Sequence, residues 1–230
     1  MQLLNEYLLS LGICSRQAAD AEEKLRIYRD FLWEKNKQFN LTAITDPVET
    51  EIKHFIDSLA GLPFIQGDTA DIGTGAGFPG LPLAILLPQY RFTLIDSLQK
   101  RICFLDELIT LLHLDNVQTV HARAEDLPKQ TKYQNVVSRA VAYLPTLCEY
   151  CLPFVKIGGS FIAYKSADCD REIEQSQKAI SLLGGRIEKV HTVTLPKEDI
   201  LRKLICIRKI KETPALYPRS GNKPKKQPLS

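Results

Sequence analysis

From Thr69 onward, short apolar runs alternate with longer stretches of helical periodicity, and this rhythm confines the chain to a parallel sheet covered by helices. The runs at 70–72, 91–95, 117–121, 135–138, 160–164, 186–194 and 204–208 read as strands, and 81–87, 98–112, 143–155 and 168–183 as helices. Gly158-Gly159 and Gly184-Gly185 read as turn and helix-end signals. Between the last two runs, Leu195-Pro196-Lys197-Glu198-Asp199 leaves too little chain for a crossover helix, so those strands should form an antiparallel hairpin. The expectation is an α/β, Rossmann-like domain with a mostly parallel seven-stranded sheet and an antiparallel terminal hairpin. A nicotinamide-binding Rossmann half would keep every crossover helical.

Residues 1–60 carry three helical patterns and read as an N-terminal helical extension. The clearest begins at Asp46-Pro47-Val48-Glu49, where Asp46 can cap, Pro47 fits the first turn and Glu49 completes a capping box. Val48, Ile52, Phe55 and Leu59 then share a face. Upstream, 18–39 is amphipathic, with Leu25, Tyr28 and Leu32 on one stripe and Trp33 beside it. Past Arg208 the chain is rich in Pro, Lys and Gly without core periodicity, which predicts an extended arm. The division is therefore 1–60 extension, 61–210 catalytic-type domain and 211–230 basic, Pro-rich arm.

With 44% hydrophobic and 25% charged residues, the chain falls with ordinary soluble proteins. No apolar run approaches the roughly 18 residues that cross a bilayer. The start lacks the basic region and cleavage site of a signal peptide and reads as retained. The six cysteines form no disulfide framework, which suits free thiols in a reducing cytoplasm, and nothing in the sequence demands more than a monomer. Cys148 and Cys151 form a C-x-x-C with no second pair and no nearby histidine, so two buried thiols are expected and no metal. The total charge of +3 conceals a segregation: from Arg202 onward nine Lys or Arg face one acid, leaving −5 for the remainder. Clustered cations suit a phosphate-bearing partner, and a solvated tail would look the same.

The chemistry gathers at strand ends. Asp71-Ile72-Gly73-Thr74-Gly75-Ala76-Gly77 lies where a strand turns into a helix, so bare backbone can approach a ligand. Dinucleotide enzymes show G-x-G-x-x-G there, whereas this loop is G-x-G-x-G preceded by an acid. Asp71 would repel a pyrophosphate but can receive the cationic sulfonium of S-adenosylmethionine, directly or through water. Asp96, closing the next strand, can accept from both ribose hydroxyls. Arg123-Ala124-Glu125-Asp126 offers acceptors where an adenine amino group would lie. Three such groups in order point to a class I S-adenosylmethionine-dependent methyltransferase fold.

The fourth strand ends in Ser138-Arg139-Ala140, without the Asn/Asp-Pro-Pro-aromatic pattern of amino-group methyltransferases or the cysteine nucleophile of pyrimidine C5 enzymes. Guanine N7 already carries an available lone pair, so its methylation needs placement in line with the methyl group and no general base.

These residues resemble the glucose-inhibited-division-B methyltransferases across nearly the whole chain. The marks are Asn40-Leu41-Thr42, His54 with Asp57-Ser58-Leu59, the loop from Asp71 extended by Phe78-Pro79-Gly80, Asp96-Ser97 with Lys100-Arg101, Arg123-Ala124-Glu125, Ser138-Arg139-Ala140, and Tyr217-Pro218-Arg219 with Gly221, Pro224 and Lys226. The resemblance implies transfer from S-adenosylmethionine to a guanine N7 of 16S ribosomal RNA, guanine 527 of the small subunit. It places Gly73, Phe78, Ala124, Glu125 and Arg139 around the cofactor, with Asp96 on the ribose and the Asp71, Gly75 and Gly77 loop beside them. Phe78 could equally be core packing, and Arg139 a bridge to Asp71 or Glu125. For Asn40, His54 and Asp57, substrate contact and polar anchoring both stay open.

Arg123, Lys165, Arg219, Lys223, Lys225 and Lys226 are candidate RNA contacts, mostly to phosphate. A guanine inside a stacked helix cannot reach a buried sulfonium, so the target should be a loop base or an extruded one. A small-molecule or protein methyltransferase on the same scaffold, or a non-catalytic RNA-binding relative, would share many of these features.

Overall fold

The computed structural model describes residues 1–197 and 200–229; Glu198 and Asp199 of the expected hairpin connection, and Ser230, lie outside the described residues. Seven strands form one sheet: β1 (Thr69–Ile72), β2 (Phe92–Asp96), β3 (Val117–His121), β4 (Tyr133–Arg139), β5 (Val155–Ser166), β6 (Gly185–Thr194) and β7 (Leu201–Lys209). Their spatial order is β3-β2-β1-β4-β5-β7-β6. The first five run parallel, and β7 pairs antiparallel with both β5 and β6. This is the class I methyltransferase arrangement, preceded by N-terminal helices.

Helices α1 (Gln2–Ser10), α2 (Ser15–Phe39), α3 (Pro47–Thr50) and α4 (Asp57–Leu59) precede the sheet, with a π-helical turn at Glu51–Ile56 joining the last two. Asp46 caps α3 through Oδ1, which accepts from the Val48 and Glu49 amides at 2.9 and 2.8 Å. Glu49 departs from the expected capping box: it pairs with Lys53 one turn on, at 2.7 Å. Ile52, Phe55 and Leu59 are buried as expected, but Val48 is 42% exposed. The π turn between them widens the helix by one residue per turn and resets the phase of the face.

The later helices are α5 (Gly80–Leu86), α6 (Gln99–Leu111), α7 (Leu144–Cys151) and α8 (Asp170–Leu182). Alternate strand residues feed two cores. On β5, Ile162 and Tyr164 face one together with the N-terminal helices, while Phe161 and Ala163 face the other, with α7 and α8 residues. Leu25, Tyr28 and Leu32 of α2 are fully buried in the first core. Each such side chain contributes about 1.5–3 kcal/mol relative to exposure, which fastens the N-terminal helices to the sheet.

Gly158-Gly159 does not end an element; both residues lie within β5, where the β4 pairing shifts register between Tyr133 and Asn135. A side chain at Gly159 would collide with the Gln134 carbonyl, so the glycine permits a close backbone approach. The arm after β7 also differs from the extended chain expected: it returns to α7 and ends with the short helix α9 (Lys223–Lys226), Pro224 being buried. Among the described residues, no helix is long and apolar enough to cross a membrane. All six cysteines are free thiols, Cys148 and Cys151 buried.

Because β1 sends its chain toward β2 while β4 lies on its other side, a crevice opens at the carboxyl ends of these strands. In open α/β sheets ligands bind there.

Candidate active site

A cavity of about 610 Å³ occupies that crevice. Its floor is the loop after β1. The Gly73 and Thr74 amides donate to the Ile95 carbonyl at 2.9 and 3.0 Å, drawing the loop across the end of β2. Gly73 has φ +73°, and a side chain there would strike Val141, which also lines the cavity. Gly75, at φ +62°, has no protein atom within 4 Å of where a Cβ would stand. These two glycines therefore bring bare backbone to the cavity.

Asp96 ends β2 and is nearly enclosed. Its Oδ2 accepts from the Gly75 amide at 2.9 Å and from Arg101 at 3.1 Å, and its Oδ1 from the Leu98 amide at 2.9 Å. A carboxylate has about four acceptor positions, so three donors leave room for one further hydroxyl rather than the two expected. Ala124 and Glu125 stand on a 3₁₀ turn after β3 and line the same cavity. The Glu125 carboxylate is 6% exposed, with the Arg123 guanidinium 4.0 Å away.

The opposite wall is an aromatic and cationic stack. Phe78 lies against Tyr28 at 5.2 Å and His54 at 4.3 Å, and the Arg139 guanidinium stands 5.1 Å over its ring. Phe78 is thus both a core residue and a wall. His54 Nε2 meets Thr42 Oγ1 at 2.8 Å. Burial, then the charge of Arg139, push the His54 pKa down to about 3, so the imidazole is neutral at physiological pH. Arg139 donates to Asp57 Oδ2 at 2.7 Å and to the Lys53 carbonyl at 3.1 Å. It pairs with neither Asp71 nor Glu125. Asp57 also holds Arg202 at 3.3 Å, so one buried carboxylate joins the N-terminal helices, β4 and β7.

Two residues expected in the site lie outside the lining. Asp71 is fully buried, its Oδ2 accepting from Thr74 Oγ1 at 2.7 Å and the Gly80 amide at 2.8 Å. Its carboxylate therefore braces the loop from beneath. Burial raises its pKa to about 7 against the pull of those two donors. Gly77 faces the core, where a Cβ would meet the Tyr28 hydroxyl at 2.6 Å. Asn40 is exposed and ends α2 in the left-handed conformation, although its neighbours Leu41 and Thr42 line the cavity.

The expected cations divide likewise. Arg123 lines the cavity with 56% of its side chain exposed, and Lys223, Lys225 and Lys226 are exposed on the arm. Lys165 is engaged with Glu172 at 2.6 Å and the Ala142 carbonyl at 3.2 Å. Arg219 is bound to buried Glu149 at 2.7 Å. Ala122, Val141, Tyr150 and Asn222 also line the cavity and were not singled out from sequence. Tyr150 sits in an apolar helical run and Asn222 in an aperiodic tail, so neither carries a local signal.

A family model described as rRNA small subunit methyltransferase G matches residues 21–201. Proteins of that name from Acetivibrio thermocellus and Lachnoclostridium phytofermentans are 49% and 50% identical over 215 residues, covering 90% of this chain and 88% and 89% of theirs. Among solved structures, M. jannaschii TYW2 in complex with AdoMet shares the fold, with TM-score 0.55 and 18% identity over 68% of this chain and 76% of that one.

Proposed function

Since the chain belongs to the rRNA small subunit methyltransferase G family, an S-adenosylmethionine-dependent methyltransferase family, we propose that it methylates N7 of a guanine in 16S ribosomal RNA, guanine 527 of the small subunit. The observation that carries the reading is the single cavity that gathers the glycine loop, Asp96, Glu125 and Arg139 at the carboxyl ends of β1 to β4.

The residues fit the cofactor. The open space at Gly75 admits a ligand against bare backbone, Asp96 keeps an acceptor position for a ribose hydroxyl, and the enclosed Glu125 carboxylate can accept from an adenine amino group. Arg139, fixed by Asp57 and Lys53, supplies a positive charge for the methionine carboxylate. When bound, S-adenosylmethionine supplies an electrophilic methyl group: the N7 lone pair forms the new C–N bond as the C–S bond breaks and its electron pair stays on sulfur. No proton is removed from N7, so the site requires no base. The imidazole in the wall, held neutral and poorly basic, is consistent with that chemistry. The chain's part is to hold donor and acceptor in line and exclude water.

Exposed Arg123, Lys223, Lys225 and Lys226 supply the phosphate contacts in this reading, and Lys165 and Arg219 act within the protein. Incubation with labelled S-adenosylmethionine and either 16S RNA or small subunits, followed by separation of RNA, protein and small molecules, tests it. Label is expected in RNA; label only in protein or a small molecule would redirect the assignment to another substrate on the same scaffold.

A further inference from the structure

The arm after β7 does not simply carry charge. Arg219 clasps Glu149, a fully buried carboxylate on α7, through its backbone amide at 2.8 Å and its guanidinium at 2.9 and 2.7 Å. The same guanidinium donates to the Gln227 carbonyl at 2.8 Å, closing 219–227 into a loop, and Thr146 Oγ1 donates to the Pro224 carbonyl at 2.9 Å. Glu149 is next to Tyr150, which lines the cavity. The clasp therefore sets the Gly221-Asn222 bend at the cavity, where Asn222 joins Glu125 and Tyr150 in the lining.

We propose that this segment is a wall of the cofactor site and that Asn222 reads the edge of the adenine ring carrying the amino group and N7. The proposal rests on the S-adenosylmethionine reading of the cavity. Glu125 accepts but cannot donate, so it can bind the amino group and no ring nitrogen. The first N–H groups of its 3₁₀ turn have no partner inside the turn and suit one ring nitrogen. Asn222 arrives on a different element and is left the other edge, where a carboxamide's paired acceptor and donor match the amino group and N7. The lysines that follow it offer donors alone.

The test is calorimetric binding of S-adenosylhomocysteine and its 7-deaza analogue, in which N7 is replaced by C–H, to the wild-type chain and to Asn222→Ala. Wild type should bind the 7-deaza compound roughly tenfold more weakly, and Asn222→Ala should bind the two within about twofold of each other. Asn222 is exposed, so the variant should keep the wild-type melting temperature. Equal wild-type affinities, or a gap that survives the substitution, would overturn the role of Asn222. Failure of wild type to bind either compound would instead remove the cofactor reading beneath it.

Discussion

The Arg139 guanidinium lies 2.7 Å from Asp57 Oδ2, a contact that ties the end of β4 to helix α4 across 82 positions of sequence. Both side chains are largely enclosed, 14% and 4% exposed, and Asp57 carries a second arginine, Arg202, at 3.3 Å. Removing one member of such a group leaves a buried charge without its partner, at a cost of about 3–5 kcal/mol. Asp57→Ala is therefore expected to lower the melting temperature and, by freeing Arg139 from its position over Phe78, to weaken S-adenosylmethionine binding by more than tenfold. Calorimetry on the folded fraction separates the two effects; unchanged affinity would show that Arg139 needs no anchor.

Gly73→Val forces a branched side chain into a left-handed backbone conformation and against Val141. The backbone term is about 1–2 kcal/mol, too little to unfold a domain of this size, and Val141 is partly exposed and can move. The variant should stay folded by circular dichroism and lose S-adenosylmethionine binding by at least a hundredfold. Normal affinity would displace the loop from the cofactor.

How much of this was legible follows the range of the contacts. The glycine loop, Asp96 and the Ala124-Glu125 turn were readable because each is a local strand-to-turn pattern. The Arg139–Asp57 pair was not, because nothing in either neighbourhood names a partner on a separate helix, and Asp71 and Glu125, at the ends of neighbouring strands, were the plausible alternatives. The π turn at Glu51–Ile56 left no mark in the hydrophobic period, which misplaced Val48. The arm has no period at all, so its return to α7 through Glu149 and Thr146 could only be seen in three dimensions.

Arg219 and the three arm lysines should behave differently. Arg219→Ala leaves Glu149 buried and unpaired, so it is expected to destabilise the fold by about 3–5 kcal/mol. Replacing Lys223, Lys225 and Lys226 together by alanine should leave the melting temperature in place, weaken RNA binding and reduce the slope of log K against log salt by roughly 2–3. A slope equal to wild type would mean that the lysines do not meet phosphate.

Two buried groups give opposite pH signatures. The folded pKa of Asp71, about 7, lies above its ordinary value of 3.8, so the folded state holds the proton longer and loses stability as pH rises from about 4 to 7. The folded pKa of His54, about 3, lies below its ordinary 6.5, so the unfolded state takes up the proton first and stability falls as pH drops from 6.5 toward 3. Asp71→Asn keeps an oxygen for Thr74 and Gly80 and should flatten the first trend. His54→Phe should flatten the second, and denaturant midpoints measured across both windows would show it.

The most direct test of guanine N7 as the target is to treat small subunits lacking the modification with the protein and S-adenosylmethionine, then reduce and cleave the 16S RNA at N7-methylguanines and map the breaks. A single new break, at guanine 527, is the predicted result. Methyl incorporation into the RNA without any cleavable guanine would contradict N7 as the acceptor.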